Sequence, residues 1–298
     1  MDRLYKSCND FSRPEHHRGK GQIAMKILIL EAETPELVDA TRAKGLATGS
    51  DYYAAALKSR SADVCIHMVE PYRTALTQED LDGIDGAVFT GSGVAWSTDA
   101  PEAAALRKAG ERVFDAGIPT IGSCNGLQLA TVLLGDTVGA WPNGMEIGLA
   151  RDIEITGAGR THPMMQGRHD GYCAPCIHRD EVQRLPDGAV LIASNAHSPV
   201  QAMSYHANGV DFWGMQYHPE LPATAIAGYV GGGFFAQGAD LAADLRIAAT
   251  DAAAVARLGG TLADLDKIIR TTELGNWLAH LQKGPSLIQV KDHAGKGA

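Results

Sequence analysis

The chain has 298 residues, a formal net charge of -9 and five cysteines. This length is enough for one large α/β domain with a sizeable core, or for two small ones. The negative charge argues against a nucleic-acid partner, because phosphate binding needs a basic surface. No apolar stretch reaches the about 18 residues of a membrane span. Few cysteines, odd in number, argue against a disulfide framework, and without a signal peptide the cytoplasm is the expected compartment.

Residues 1–24 are polar and mixed in charge, which predicts a disordered leader. Met25 directly precedes the first predicted strand, so translation starts at either Met1 or Met25. The pair His16 and His17 is too small for a metal-binding tract and is interpreted as part of the solvated leader.

The first half of the chain alternates strands with helices. Residues 26–30 form a continuous apolar run, typical of a strand buried on both faces of a parallel sheet. A capped helix is predicted over 50–57, strands over 64–69 and 86–90, and a helix over 101–116. This alternation predicts a parallel sheet with right-handed crossovers, whose ligands bind at the carboxyl ends of the strands.

Residues 119–128 read Pro-Thr-Ile-Gly-Ser-Cys-Asn-Gly-Leu-Gln and connect a strand to a helical run that stops at Gly135. Gly122, Cys124 and Gly126 have the spacing of a nucleophile elbow, with sulfur in place of the serine oxygen. A Cβ two residues before or after the nucleophile would crowd this sharp turn. The helix aims its free N–H groups and dipole at the sulfur, which favours the thiolate, and the Asn125 amide would lie where an oxyanion forms. Buried cysteines beside glycine are also common as small hydrophobic residues, so the elbow alone does not exclude a purely structural role for Cys124.

Beyond Gly135 the pattern changes. Shorter strands, more antiparallel in character, are predicted over 147–155, 189–193, 200–204 and 210–217. Helical segments follow to the end of the chain. The predicted organisation is a leader (1–24), one domain (25–235) and a helical C-terminal extension packed on that domain (236–298).

His218 and Glu220 are two residues apart at the end of the last predicted strand. In an extended chain this spacing puts both side chains on one face, and Pro219 stiffens the backbone between them. A base oriented by a carboxylate is what a cysteine nucleophile needs, although a His-Pro-Glu tripeptide alone is more often a surface turn. Together with the elbow and the glycine loop at 91–93, three strand ends supply a nucleophile, a base with its orienting group and an oxyanion amide.

In these motifs the sequence resembles the class I glutamine amidotransferase family, in particular the glutaminase domain of the GMP-synthase type. The matching pieces, spread over about residues 26–225, are Gly122-Ser-Cys-Asn-Gly-Leu-Gln128, Tyr217-His-Pro-Glu220, Thr90-Gly-Ser-Gly93 and the segment 178–186. The resemblance implies a flavodoxin-like three-layer α/β sandwich with a mainly parallel central sheet, a small antiparallel portion and, here, a helical C-terminal extension. The chain departs from the family in the oxyanion loop, where Gly-Gly-Pro is frequent and this sequence has Gly91-Ser92-Gly93-Val94.

The resemblance implies that Cys124 is the nucleophile, His218 the general base and acid, and Glu220 the residue that orients it. The expected reaction is hydrolysis of a γ-glutamyl amide, such as glutamine, through a γ-glutamyl thioester. No cofactor and no metal are expected.

The resemblance also implies the residues around this triad. The oxyanion hole would use the backbone amides of Ser92 and Asn125. Substrate contacts are expected from Gly91, Gly93 and Gln128.

Three functions remain open. The sequence contains no Ser-Gly-Gly-x-Asp-Ser loop and no Walker A pattern, so a glutaminase built this way would pass ammonia to a separately encoded synthase. The first alternative is a stand-alone γ-glutamyl peptide or amide hydrolase. The second is a catalytically silent regulatory binding protein on the same fold. The expected protein partner is the synthase subunit or a second copy in a homodimer.

Other residues have competing interpretations. Cys173 and Cys176, with His169 and His178 nearby, are too crowded for a structural zinc site, and their flanks look turn-like rather than thioredoxin-like. The resemblance implies that His178 packs near the site. Trp96 and Trp141 line a substrate pocket or the core. The amphipathic segment 273–278 packs on the body or presents a partner surface.

Overall fold

The structure, a computed structural model, describes residues 24–140, 144–231 and 238–284. Trp141 and the predicted leader, apart from Ala24, lie outside these residues. The strands are β1 (Met25–Leu30), β2 (Val64–Val69), β3 (Gly86–Phe89), β4 (Thr120–Ser123), β5 (Val138–Ala140), β6 (Glu146–Ile155), β7 (Tyr172–His178), β8 (Asp180–Val182), β9 (Val190–Ser194), β10 (Ala202–Ala207) and β11 (Val210–Met215). The helices are α1 (Pro35–Ala43), α2 (Gly49–Arg60), α3 (Ala104–Asp115), α4 (Asn125–Leu133), α5 (Ala223–Gly231), α6 (Ala239–Ile247), α7 (Ala252–Arg257), α8 (Leu262–Leu265), α9 (Lys267–Arg270) and α10 (Thr272–Lys283).

Nine strands form one mixed sheet in the order β2-β1-β3-β4-β11-β10-β9-β6-β7. The five strands from β2 to β11 are parallel, and the remaining four continue the sheet in antiparallel pairing. β5 and β8 pair separately. The carboxyl ends of β3, β4 and β11 therefore lie side by side at one edge of the parallel part. The predicted sandwich, with a central sheet, an antiparallel portion and C-terminal helices, is confirmed.

The two faces of β1 show why the sheet is covered on both sides. Ile27 and Ile29 point into one core, against α2 and α10, whereas Leu28 and Leu30 point into the other, against α3 and α4. All four side chains have no solvent exposure. A strand that is apolar at every position needs such a double cover, because successive side chains alternate between the faces.

The C-terminal helices pack on this body. α10 lies against α2 and against the 3-10 turn Pro163–Met165, and its Trp277 ring fills the space beside Gly86 on β3. A third apolar cluster gathers α5, α6, α7 and α8 around Leu149 and Cys173. The boundary between residues 235 and 236 stays a prediction.

The structure adds elements that the sequence patterns did not predict, namely α1, β5, β7 and β8. β7 contains both Cys173 and Cys176, so the turn-like flanks expected there were wrong, and both thiols are buried and free. Cys65 is disulfide-bonded, and since the other described cysteines are free, no framework of several disulfides holds the described part together. None of the helices in residues 24–140, 144–231 and 238–284 is long and apolar enough to cross a membrane.

Candidate active site

Cys124 sits in the sharp turn between β4 and α4, as the elbow spacing predicts. Its backbone has φ 51° and ψ -110°, a conformation that residues with a side chain seldom adopt. A Cβ on Gly122 would lie 2.8 Å from the carbonyl carbon of Gly126, and one on Gly126 would lie 2.1 Å from the Phe89 carbonyl oxygen. Both glycines are therefore required by close backbone contacts. The cysteine is only 5% exposed, and its amide donates to the Met215 carbonyl at 2.8 Å.

His218 and Glu220 form a buried pair just beyond β11. His218 Nδ1 lies 2.7 Å from Glu220 Oε1, which also accepts a hydrogen bond from the Ser123 hydroxyl at 3.1 Å. The His218 amide donates to the Pro175 carbonyl of β7 at 2.8 Å. The side chains of His218 and Glu220 thus lie on one face, as their spacing predicts. The hydrogen bond from Ser123 to Glu220 was not predicted from the sequence.

The electrostatics of His218 favour the imidazolium. Burial acts to lower the pKa of the ring, but the charge of Glu220 and the interaction with Cys124 outweigh burial and raise the pKa to about 10. No hydrogen-bond partner for Nε2 is found in the described part of the chain. This nitrogen is therefore available for the sulfur or for a substrate atom.

Gly91 shows how closely the three strand ends meet. A Cβ built on Gly91 would lie 2.6 Å from Cε1 of His218 and 3.7 Å from the Cβ of Cys124. The loop after β3, the elbow after β4 and the turn after β11 therefore converge on one point. Only a residue without a side chain leaves the imidazole its place there.

The Ser92 and Asn125 amides lie in the loop after β3 and in the first turn of α4. Neither amide has a hydrogen-bond acceptor in residues 24–140, 144–231 and 238–284. The Ser92 hydroxyl donates to the Ala32 carbonyl at 3.0 Å, which fixes the loop against the end of β1. The first amides of a helix have no intrahelical partner, and the helix dipole adds partial positive charge there. Each amide thus has the free N–H group that a donor to an oxyanion needs.

Glu33 lies beside this loop and was not predicted as a site residue. Its Oε1 accepts a hydrogen bond from the Gly93 amide at 2.7 Å, so that amide is occupied. Its Oε2 is buried without a partner among the described residues. Burial raises the pKa of Glu33 to about 7, even though the bond from Gly93 acts to lower it.

Gln128 and His178 hold the strands at the edge of the site. The Gln128 amide nitrogen donates to the Asp180 carbonyl at 2.5 Å and contacts Gln216 Oε1 at 3.5 Å. His178 Nε2 lies 2.9 Å from Glu146 Oε2 and is buried, and its neighbour Ile177 places a carbonyl 3.7 Å from the Cys124 sulfur. The strands β7 and β8 therefore form a wall beside the nucleophile.

Two further predictions concern Trp96 and the segment 273–278. Trp96 packs edge-on against Tyr72 with ring centroids 6.4 Å apart. The segment 273–278 belongs to α10, which packs on the body. No group of three or more histidine, cysteine, aspartate or glutamate side chains suited to a metal ion occurs in the described residues.

A family model described as "Glutamine amidotransferase class-I" matches residues 51–229. Among characterised proteins, a γ-glutamyl-L-1-hydroxyisopropylamide hydrolase of a Pseudomonas species is 36% identical over 155 residues, which are 50% of this chain and 52% of that protein. A glutamine-hydrolysing GMP synthase of Wolinella succinogenes is 35% identical over 109 residues, which are 37% of this chain and 20% of that protein. The chain thus spans about half of the hydrolase and a fifth of the synthase.

Solved structures show the same fold. A glutamine amidotransferase of Thermotoga maritima aligns with 89% of this chain and 99% of its own, with a TM-score of 0.55 and 17% identity. A glutamine amidotransferase of Methylobacillus flagellatus aligns with 88% of this chain and 94% of its own, with a TM-score of 0.52 and 18% identity. At these identities the likeness concerns the fold alone.

Proposed function

The chain belongs to the class I glutamine amidotransferase family, and from this premise we propose that it hydrolyses a γ-glutamyl amide with Cys124, His218 and Glu220 as its triad. The observation that carries the proposal is the convergence of the elbow cysteine, the buried His218–Glu220 pair and two free backbone amides. A cysteine nucleophile with an oriented base and an oxyanion site is the constellation that acyl transfer requires.

The geometry supports the following sequence of steps. The imidazolium of His218 favours the Cys124 thiolate, which attacks the γ-carbonyl carbon of the substrate. The oxyanion accepts hydrogen bonds from the Ser92 and Asn125 amides, and the N-terminus of α4 adds its dipole. His218 then gives its proton to the departing amine, which leaves a γ-glutamyl thioester. Water, deprotonated by the now neutral His218, attacks the thioester and releases glutamate.

We propose that the substrate side of the site includes Gly91, Gly93 and Gln128. Gly91 lets the imidazole of His218 lie where a Cβ would stand, and the Gly93 amide donates to Glu33. Gln128 acts through the wall strand β8, whose Asp180 carbonyl it binds.

Stand-alone hydrolysis of a substituted γ-glutamyl amide is the form of the reaction that we favour. The match to the Pseudomonas hydrolase extends over 50% of this chain, against 37% for the GMP synthase of Wolinella succinogenes. The second candidate is a glutaminase subunit that passes ammonia to a separately encoded synthase, and the synthase relatives support it. A catalytically silent binding protein is the third.

Release of free glutamate by the purified protein separates these candidates. Glutamine and a panel of γ-glutamyl alkylamides, hydroxyalkylamides and dipeptides serve as substrates, with Cys124→Ala as the blank. Turnover confined to substituted amides supports the stand-alone hydrolase, whereas slow glutamine hydrolysis that Cys124→Ala abolishes supports the glutaminase. If no substrate gives Cys124-dependent glutamate, the proposed function is wrong.

A further inference from the structure

The last two helices of the described chain hold the peptide on both sides of His218. Glu273, in the first turn of α10, accepts a hydrogen bond from the Tyr217 hydroxyl at 2.8 Å. Arg270, at the end of α9, donates from Nη1 to the Pro219 carbonyl at 2.5 Å. Tyr217 and Pro219 are the neighbours of His218 in the chain, so the C-terminal extension fixes the backbone that carries the base.

Glu273 is itself locked in a buried network. Its two carboxylate oxygens bind Nε and Nη2 of Arg168 at 2.8 and 3.0 Å, and both side chains have no solvent exposure. The Arg168 guanidinium lies 4.5 Å above the Tyr172 ring, and the Tyr172 hydroxyl donates to that of Tyr217 at 2.8 Å. Bidentate pairing in a buried site fixes the geometry of both partners. The hydroxyl of Tyr217 is therefore attached to a rigid support.

Arg270 also lies near the carboxylate that orients His218, because Pro219, whose carbonyl it binds, directly precedes Glu220 in the chain. Burial lowers the pKa of Arg270, whereas the negative charge of Glu220 acts to raise it. Glu220 Oε2 has no hydrogen-bond partner in the described part of the chain. The arginine consequently supplies a positive charge beside a carboxylate that is otherwise held through one oxygen only.

We propose that Arg270 and Glu273 are positioning residues that hold the His218–Glu220 pair in its reactive geometry, so that the C-terminal extension forms part of the catalytic machinery. The proposal rests on the proposed function for its activity readout. It has a second readout that needs no substrate, namely the reactivity of the Cys124 sulfur. Loss of either contact lets the turn after β11 move, which separates Glu220 from His218 and weakens the imidazolium beside the sulfur.

Two variants test the proposal without leaving a buried charge unpaired. Arg270→Met keeps the aliphatic stem but removes the donor and the charge. Tyr217→Phe removes the hydroxyl that donates to Glu273 and accepts from Tyr172. Glu273 itself is left unchanged, because its loss would strand the charge of Arg168 in the core. Arg60→Met is the matched control: Arg60 Nη1 donates to the Ile268 carbonyl at 3.1 Å, so it also ties the extension to the body, away from His218. Arg270→Lys, which keeps a charged donor, serves as the rescue.

The substrate-free measurement is the rate at which iodoacetamide alkylates Cys124, followed by mass spectrometry of its peptide near pH 6 and near pH 9. In the unchanged protein we expect a high rate at the lower pH, since a positive charge beside a sulfur favours its reactive form. In Arg270→Met we expect the ratio of the lower-pH rate to the higher-pH rate to fall about tenfold. Tyr217→Phe should show the same change to a smaller extent, Arg270→Lys should restore most of the ratio, and Arg60→Met should leave it unchanged.

With a substrate that turns over, Arg270→Met should lower kcat about tenfold to a hundredfold and change KM little, because the defect lies in proton transfer. An unchanged alkylation ratio and kcat in folded Arg270→Met and Tyr217→Phe would overturn the positioning role. A ratio that falls equally in Arg60→Met would overturn it too, since the extension would then act through stability alone. If the unchanged protein hydrolyses nothing, the proposed function fails, and the alkylation ratios still decide the positioning role.

Discussion

At the residue scale, the geometry of the site depends on close contacts at a few glycines, where a side chain would clash. The turn after β11, the elbow and the loop after β3 meet where Gly91 carries no side chain. Gly122 allows the backbone of β4 to approach the first turn of α4, and Gly126 allows that turn to approach β3. The importance of these glycines could be predicted from the sequence, because each of them belongs to a motif within a short segment. Glu33, Arg168, Arg270 and Glu273 reach the site from distant segments, and no local pattern marks them.

Gly91→Ala tests the convergence directly. The new methyl group would lie 2.6 Å from Cε1 of His218, so the imidazole must move. We expect kcat/KM to fall about a hundredfold, since displacement of a catalytic group by about 1 Å has that effect. Gly157→Ala is the matched control, because a Cβ there meets no atom within 4 Å. Equal activity of the two alanine variants would contradict the geometry.

Glu220→Gln tests the source of the imidazolium. The charge of Glu220 raises the pKa of His218 to about 10, so acylation that needs protonated His218 is present below that pH and is lost as the pH rises through it. Glutamine keeps the oxygen that His218 binds but removes the charge, and burial then lowers the pKa of the ring. We expect the alkaline limb of the kcat/KM profile to move to lower pH. An alkaline limb at the same pH in both proteins would show that it reports a group other than His218.

At the scale of elements, the apolar runs of β1 and β3 are predictable because these two strands are buried on both faces. α1 has a proper N-cap at Thr34 and a proline in its first turn, yet it buries only Val38, so its hydrophobic pattern is weak. β7 is an edge strand of the sheet, where a proline such as Pro175 is tolerated although it usually argues against a strand. β5 and β8 have three residues each and are too short for a pattern.

Trp277→Ala tests how firmly α10 is attached to the sheet. The Trp277 side chain is 1% exposed and packs beside Gly86, so its removal leaves a large cavity. We expect the free energy of unfolding in urea to fall by about 3–5 kcal/mol. Ile268→Ala, at a side chain that is 53% exposed, should change it by less than about 0.5 kcal/mol. Similar values for both variants would mean that α10 contributes little to the fold.

At the scale of the whole molecule, the free energy of unfolding should depend on pH because of Glu33, a carboxyl group beside the site. The pKa of Glu33 is raised from 4.5 to about 7, so the folded protein binds this proton more tightly than the unfolded chain. Glu33 therefore stabilises the fold at low pH, and this contribution is lost as the pH rises from 4.5 to about 7.

Glu33→Gln should remove that pH dependence, because the amide can still accept the bond from Gly93 but does not ionise. Between pH 5 and pH 8 we expect the free energy of unfolding of the variant to fall less than that of the unchanged protein, by about 3 kcal/mol at most. Urea titrations at the two pH values measure the difference. Glu111→Gln, at an exposed position of α3, is the control that should behave like the unchanged protein. Parallel behaviour of all three proteins would contradict the burial of Glu33.

The backbone of Cys124, at φ 51° and ψ -110°, implies a conflict between reactivity and durability. A residue held in such a conformation costs about 1–3 kcal/mol, which the surrounding fold has to offset. Glycine adopts positive φ without that cost, although it loses more backbone freedom on folding. We expect Cys124→Gly to be inactive and yet to melt at a higher temperature. A chain selected for durability alone would carry glycine here, so the cysteine marks a position where reactivity has been favoured over the most stable fold.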